Sequence, residues 1–166
     1  MRSLLFALLF SCGAAFAQPA IVSDDITTQS VLDLMNAYRA EEGLPPLHIH
    51  ERLAGAADDR MHHMEEQAYW DHESPDGVSP FMWLRVRDYE FQAAGENLAK
   101  GFETSRVLVS SWMESPGHRA NIMSRSYDEC GIAIIDGSTT GPANGKSIVV
   151  LFGKRRSAVM VSRAAQ

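Results

Sequence analysis

At 166 residues, with 45% of them apolar and 22% charged, the chain has the composition of one globular domain large enough to build a real hydrophobic core. Its formal net charge of −6 argues against nucleic acid as a partner and against electrostatic docking on anionic lipid.

Arg2, the apolar run LLFALLF (residues 4–10) and the small-x-small triplet Ala15-Phe16-Ala17 form a signal-peptide pattern over residues 1–17. Seven apolar residues are too few to span a bilayer, so an exported chain beginning at Gln18 is expected, with no transmembrane segment. LFSC (residues 9–12) offers a competing lipobox in which Cys12 would be lipidated, although Phe10 fits that pattern poorly. Cleavage removes Cys12 and leaves Cys130, which sits among apolar neighbours in ECGIAIID and reads as a buried thiol. An exported domain without an internal disulfide must rest on its core.

Residues 18–30 read as a lead-in. Val31, Leu32, Leu34, Met35 and Tyr38 then recur at helical spacing until Gly43 and Pro45-Pro46 stop them. Leu53, Ala56, Ala57, Met61 and Met64 predict a second helix over 51–67. DHESPDGVSP (71–80) is turn-rich, and 80–86 opens a short helix behind Pro80. A short strand over 90–94 leads to Gly95. A third helix covers 105–113, with Thr104 or Glu103 near its start and Val107, Leu108 and Trp112 facing inward. One helical turn follows at 119–123. CGIAIIDG and SIVVLFG are β-branched runs joined by the polar STTGPANGK, which predicts a hairpin. Helices first and a closing hairpin indicate an α+β domain, its sheet covered by helices. No βαβ alternation or Gly-rich phosphate loop is present, so a nucleotide site is not expected. The basic stretch from Lys154 onward (154–166) reads as a solvated tail.

Of six histidines, His48 and His50 fall in a polar linker, and His62 and His63 on a charged helical face. His62 and Glu66 have ligand-like i, i+4 spacing, yet a solvated face explains them, and no HExxH or CxxC occurs. His72 in WDHESPDG, Glu96 in AAGENLAKG and His118 in ESPGHRANI differ. Each lies in a Gly- or Pro-rich segment, where a turning backbone can aim a side chain into a cleft. Two imidazoles and a carboxylate suit a divalent transition metal with an open position. They equally suit a proton-sharing set, in which the carboxylate raises and orients a histidine. The bland alternative has Glu96 and Asn97 bonding loop amides and a histidine capping a helix. Ser115, three residues before His118, lacks a G-x-S-x-G elbow and an orienting acid, so a nucleophilic pair is not expected.

LDLMNAYRAEEGLPPL, YWDHESPDGVSPFMWLR, AGENLAKG, SSWMESPGHRANIM, GIAII and VVLFG, in this order, resemble the bacterial branch of the CAP superfamily. That superfamily also holds the cysteine-rich secretory proteins, the insect venom antigens and the plant pathogenesis-related proteins. The resemblance implies a domain over 31–153 folded as a three-layer α-β-α sandwich with a central antiparallel sheet. It further implies a cleft lined by His72, His118 and Glu96. Eukaryotic relatives often add a second glutamate on the following helix. The nearest candidate for it is Glu114, beside SPGH, a region where many bacterial relatives carry a small polar residue, so a full His-Glu-Glu-His set is in doubt. Pro116-Gly117 would swing the chain so that His118 faces His72. Asn36, Arg39, Arg119 and Asn121 are expected to tie loops to the core, Arg39 by a fork of bonds to buried carbonyls.

The expectation is a secreted, monomeric binding module for a small-molecule, lipid-like or envelope ligand, with Zn2+ the first candidate cofactor held by His72, His118 and Glu96. The alternatives are a metal-assisted hydrolase with Glu96 as base, and a cell-envelope interaction protein whose cleft is purely structural. Whether the chain is an enzyme stays open at this point.

Overall fold

The computed structural model describes residues 24–137 and 145–156. The signal-peptide pattern, Cys12, the centre of the hairpin loop and the tail from residue 157 lie outside them. Helix α1 (Thr28–Glu41) starts on a capping box, in which the Thr27 side chain accepts from the Ser30 amide and Ser30 answers the Thr27 backbone. Helix α2 (Glu51–Glu66) is capped by the His50 ring, which accepts from the Arg52 amide, so His50 has a structural task. His48 belongs to β1 (His48–Ile49), a strand of two residues where a linker was expected.

Helix α3 (Met82–Val86) and β2 (Phe91–Phe102) follow. Helix α4 (Ser105–Glu114) is capped by Thr104. Helix α5 (Pro116–Ile122) places proline at its first turn, where the missing N–H costs nothing. Strands β3 (Glu129–Asp136) and β4 (Lys146–Arg155) form the expected hairpin. The sheet order is β1-β3-β4-β2. The three long strands are antiparallel, but β1 joins β3 in parallel, so the sheet is mixed at its short edge.

Strand β4 is buried on both faces, and its alternation creates the three layers. Ile148, Val150 and Phe152 pack with Val31, Met35, Leu108 and Trp112 from α1 and α4. Val149 and Leu151 point the other way, to Leu53, Ala57, Met61 and Met64 of α2 and Leu84 of α3. The sandwich is thus α1, α4 and α5 on one side and α2 and α3 on the other. Val107, expected inside, is 57% exposed; Leu108, Val109 and Trp112 carry the inward face of α4. Gly131 lets α2 lie directly on the sheet, since a Cβ there would sit 2.0 Å from the Leu53 carbonyl carbon. Cys130 is buried beside this contact, and burial pushes its thiol up to about 12.

Candidate functional site

Strand β2 is the reason Glu96 and its neighbour serve different walls. It pairs with β4 from Phe91 to Phe102, with Glu96 opposite Leu151 and Asn97 opposite Val150. Successive side chains alternate across a strand, so Glu96 shares the α2 side with Leu151 while Asn97 faces α5. The segment expected to be a turn is therefore regular strand, and the sheet itself aims the two side chains.

On the α2 side, the carboxylate of Glu96 is almost wholly enclosed, its side chain 2% exposed. His72 Nδ1 donates to Glu96 Oε1 at 2.8 Å, and Arg60 Nε donates to Oε2 at 3.1 Å. Arg60 is completely buried. Its remaining donors reach the Tyr69 hydroxyl, the Asp71 carbonyl and, at 3.0 Å, the His72 carbonyl. One guanidinium thus joins helix α2, strand β2 and the loop that carries His72. The His72 ring itself is 58% exposed and stands in the opening. Its hydrogen bond to Glu96 raises its pKa above the ordinary histidine value, burial opposing and the Glu96 charge assisting.

On the other side, Asn97 Nδ2 holds the His118 carbonyl at 3.1 Å, and Asn121 Nδ2 bonds the Glu96 carbonyl at 3.0 Å and Asn97 Oδ1 at 2.9 Å. His118 is the third residue of α5, so helix geometry rather than a free turn fixes its direction. Its ring lies 6.3 Å from that of Trp112, centroid to centroid. Burial, with the charge of His72 second, lowers its pKa below the ordinary value. The two imidazoles are therefore biased oppositely, His72 toward the cation and His118 toward the neutral ring, and of the two only His72 lines the cleft cavity.

Between the walls opens a cavity of about 530 Å3 lined by Ser79, Pro80 and Phe81 from the 72–81 loop, with His72, Glu96 and Asn121. Its floor is the backbone of β2. Gly95 is required there, because a Cβ would stand 2.7 Å from the Tyr127 hydroxyl, which donates to the Ala94 carbonyl at 3.0 Å. Glu114 is exposed at the end of α4 and does not line this cavity, so it supplies no second cleft carboxylate.

The expected zinc set was His72, His118 and Glu96. Among the described residues, no group of three or more His, Cys, Asp or Glu side chains stands together closely enough to hold a metal ion. Glu96 has both oxygens engaged, one by Arg60 and one by His72. The residues present therefore do not fit a three-ligand zinc centre.

Arg60 is the site residue that sequence reasoning missed. It lies seven residues after Leu53 and four before Met64, on the apolar stripe of α2, where a charge has to find a buried partner. Of the loop-tying residues, Arg39 and Asn36 do what was expected: Asn36 Nδ2 donates to the Leu47 carbonyl at 3.0 Å and its Oδ1 accepts from the Leu47 amide at 2.7 Å. Arg119 makes a loose surface pair with Glu42 at 3.8 Å.

The family model described as the cysteine-rich secretory protein family, CAP, matches residues 32–151. YkwD, an uncharacterized protein of Bacillus subtilis, is 37% identical over 108 residues, which cover 65% of this chain and 42% of YkwD. The chain thus spans less than half the length of that relative. An outer surface protein of Borrelia burgdorferi superposes with a TM-score of 0.66 at 25% identity, covering 79% of this chain and 97% of the Borrelia chain. An extracellular protein of Bacillus anthracis containing an SCP domain superposes with a TM-score of 0.63 at 25% identity, over 76% of this chain and 40% of its own.

Proposed function

The chain belongs to the cysteine-rich secretory protein (CAP) family, and from that premise we propose that it is an exported binding module whose cleft receives a small organic ligand at His72. The observation that carries this reading is the buried chain Arg60–Glu96–His72. A fully enclosed ion pair ends on a ring that is itself 58% exposed to the cavity. Such an arrangement fixes the ring and its free Nε2 in one direction before any ligand arrives, which lowers the ordering cost of binding.

The rest of the cleft suits the same task. A volume of about 530 Å3 accommodates a ligand of drug-like size, with Phe81 and Pro80 as apolar wall and Asn121 as a second polar point. The ligand class is a compact molecule with a polar group for His72 Nε2 and an apolar body for Phe81. Likeness to an extracellular SCP-domain protein and to an outer surface protein supports placement outside the cell, and no described helix is long and apolar enough to cross a membrane.

A fragment screen by protein-observed NMR tests the reading. Fragments that join a polar group to an apolar body should shift the resonances of His72, Phe81 and Asn121 together, and the shifts should vanish in His72→Ala. Hits that move other surfaces only, or that survive His72→Ala unchanged, would reject the cleft as the receptor and favour an envelope partner docking elsewhere.

A further inference from the structure

A carboxylate enclosed as Glu96 is needs a compensating cation close by, because burial without one is prohibitive. In a metal centre, that cation is the metal. Here a guanidinium occupies the position. Arg60 is wholly buried, reaches Glu96 Oε2 at 3.1 Å from the core side, and has its other donors on Tyr69, Asp71 and His72. It is held there by the body of α2, whose Ala57, Met61 and Met64 pack beneath the sheet. Glu96 Oε1, the oxygen nearer the cleft, is taken by His72 Nδ1 at 2.8 Å. A divalent ion arriving in the cleft would thus meet a carboxylate whose charge is already balanced and each of whose oxygens already accepts a hydrogen bond. It would also meet a fixed cation behind that carboxylate.

We infer that Arg60 stands in for a metal ion in this cleft: it supplies the cation that Glu96 requires, orients His72 through Glu96 and the loop carbonyls, and makes the site a metal-independent receptor. Arg60 is in this sense a positioning residue. It touches no ligand, and it decides what the cleft can accept by deciding what Glu96 is free to do. The inference concerns the same cleft as the proposed ligand site. It does not need an organic ligand to be found, since its test uses zinc alone.

The decisive experiment is isothermal titration of ZnCl2 into the chelator-stripped protein, run beside Arg60→Gln, Arg60→Lys and the Arg60→Gln/Glu96→Gln pair, with melting temperatures read with and without zinc. The wild type should show no saturable binding and no zinc-dependent rise in melting temperature. Arg60→Gln, which leaves the buried Glu96 carboxylate without its guanidinium and held by His72 alone, should melt lower and gain saturable zinc binding with a rise in melting temperature. Arg60→Lys should stay blind to zinc, and so should the double variant, in which the charge of Glu96 is gone as well. Stoichiometric zinc binding by the wild type, lost in His72→Ala/His118→Ala, would overturn the inference. So would a folded Arg60→Gln that gains no zinc affinity. Should Arg60→Gln not fold, the wild-type titration decides alone: absence of binding upholds the inference and saturable binding overturns it. A wild type that binds zinc could still bind fragments, and one that binds neither would retain the role of Arg60 while the ligand reading falls, so the two failures are separable.

Discussion

Among the described residues two guanidiniums lie completely buried, one on each side of the sheet, and they do different things. Arg39, on α1, donates to the carbonyls of Pro45, Ile122, Ser124 and Tyr127, at 2.8, 2.7, 2.9 and 3.2 Å. All those acceptors are neutral backbone, and Arg39 simply sews the loop after α1 to the end of α5 and the approach to β3. Arg60, on α2, also takes two carbonyls, but its Nε goes to a carboxylate that carries a titratable ring into an open cavity. The same fork of donors therefore serves as a staple in one place and as the foundation of a site in the other. The difference lies in what each fork meets: backbone carbonyls on the α1 side, and the enclosed carboxylate of Glu96 on the α2 side.

The largest effect expected from breaking this comparison is at the staple. Arg39→Met would strand four carbonyls at once, and each stranded buried acceptor costs about 1–3 kcal/mol. A loss of about 4 kcal/mol follows at about 1 kcal/mol for each carbonyl, and no second substitution should restore it. Urea unfolding measures this directly. A loss below about 1 kcal/mol would show that the fork is dispensable.

Arg60→Gln should come next, at about 3 kcal/mol or somewhat more, the usual cost of leaving one member of a buried pair behind. Here a second substitution should help: adding Glu96→Gln removes the orphaned charge, and most of the lost stability should return. Equal destabilisation by the single and double variants would mean that Arg60, like Arg39, acts only through its carbonyls. The double-mutant cycle isolates that difference.

A smaller loss, about 2–3 kcal/mol, is expected from Gly131→Ala, because the new methyl would collide with the backbone of α2 at Leu53 and Ala54 rather than with a flexible side chain. The consequence for the comparison is selective. Helix α2 carries Arg60, so lifting it should perturb the NMR signals of Glu96 and His72 while those of Asn36 and Leu47, tied to each other by two hydrogen bonds, stay in place. Uniform changes on both sides of the sheet would argue that the layers move as one body.

How much of this is legible in the sequence follows from where each signal lives. The helices show through their apolar spacing, and β3 and β4 through runs of β-branched residues. Strand β2 reads too short from sequence because GENLAKG holds glycine, asparagine, glutamate and lysine, all poor strand residues. Its pairing with a fully buried β4 overrides that preference, and no local pattern announces a tertiary partner. His72, Glu96 and His118 are legible as a set through motif resemblance. Their roles are not, because the role of Glu96 is decided by Arg60, 36 residues away along the chain. Arg60 sits in DDRMHHMEEQ, a stretch so charged that it reads as solvated surface. Projecting that stretch onto the stripe of Leu53, Ala56, Ala57, Met61 and Met64 places Arg60 inside, as the one charge there.

The smallest effect concerns pH, and it separates the two sides most cleanly, because carbonyls do not titrate and Arg39 contributes no slope near neutrality. Two rings oppose one another, His72 in the cleft lining and His118 on α5, outside that lining. His72 faces Glu96 from β2, Arg60 from α2, its neighbour Asp71 and the His118 ring, and its folded pKa is raised. Its stabilising contribution is thus complete below the unfolded value of about 6.5 and is lost as pH rises through the raised value. His118 is lowered by burial and then by His72, so the folded protein resists its protonation. Its contribution is intact above about 6.5 and is lost as pH falls toward its depressed value. Because both rings are partly solvated, each slope should amount to less than about 1 kcal/mol. Wild-type stability, followed by urea unfolding from about pH 5 to about pH 9, should therefore vary little around neutrality. His118→Ala should lose the acid-side decline and keep the alkaline one, whereas Glu96→Gln should do the reverse. Parallel curves for both variants would mean that the rings are not split in charge. The cleft would then hold no ring biased toward the cation, and the physical reason to read Arg60 as anything more than a second staple would go with it.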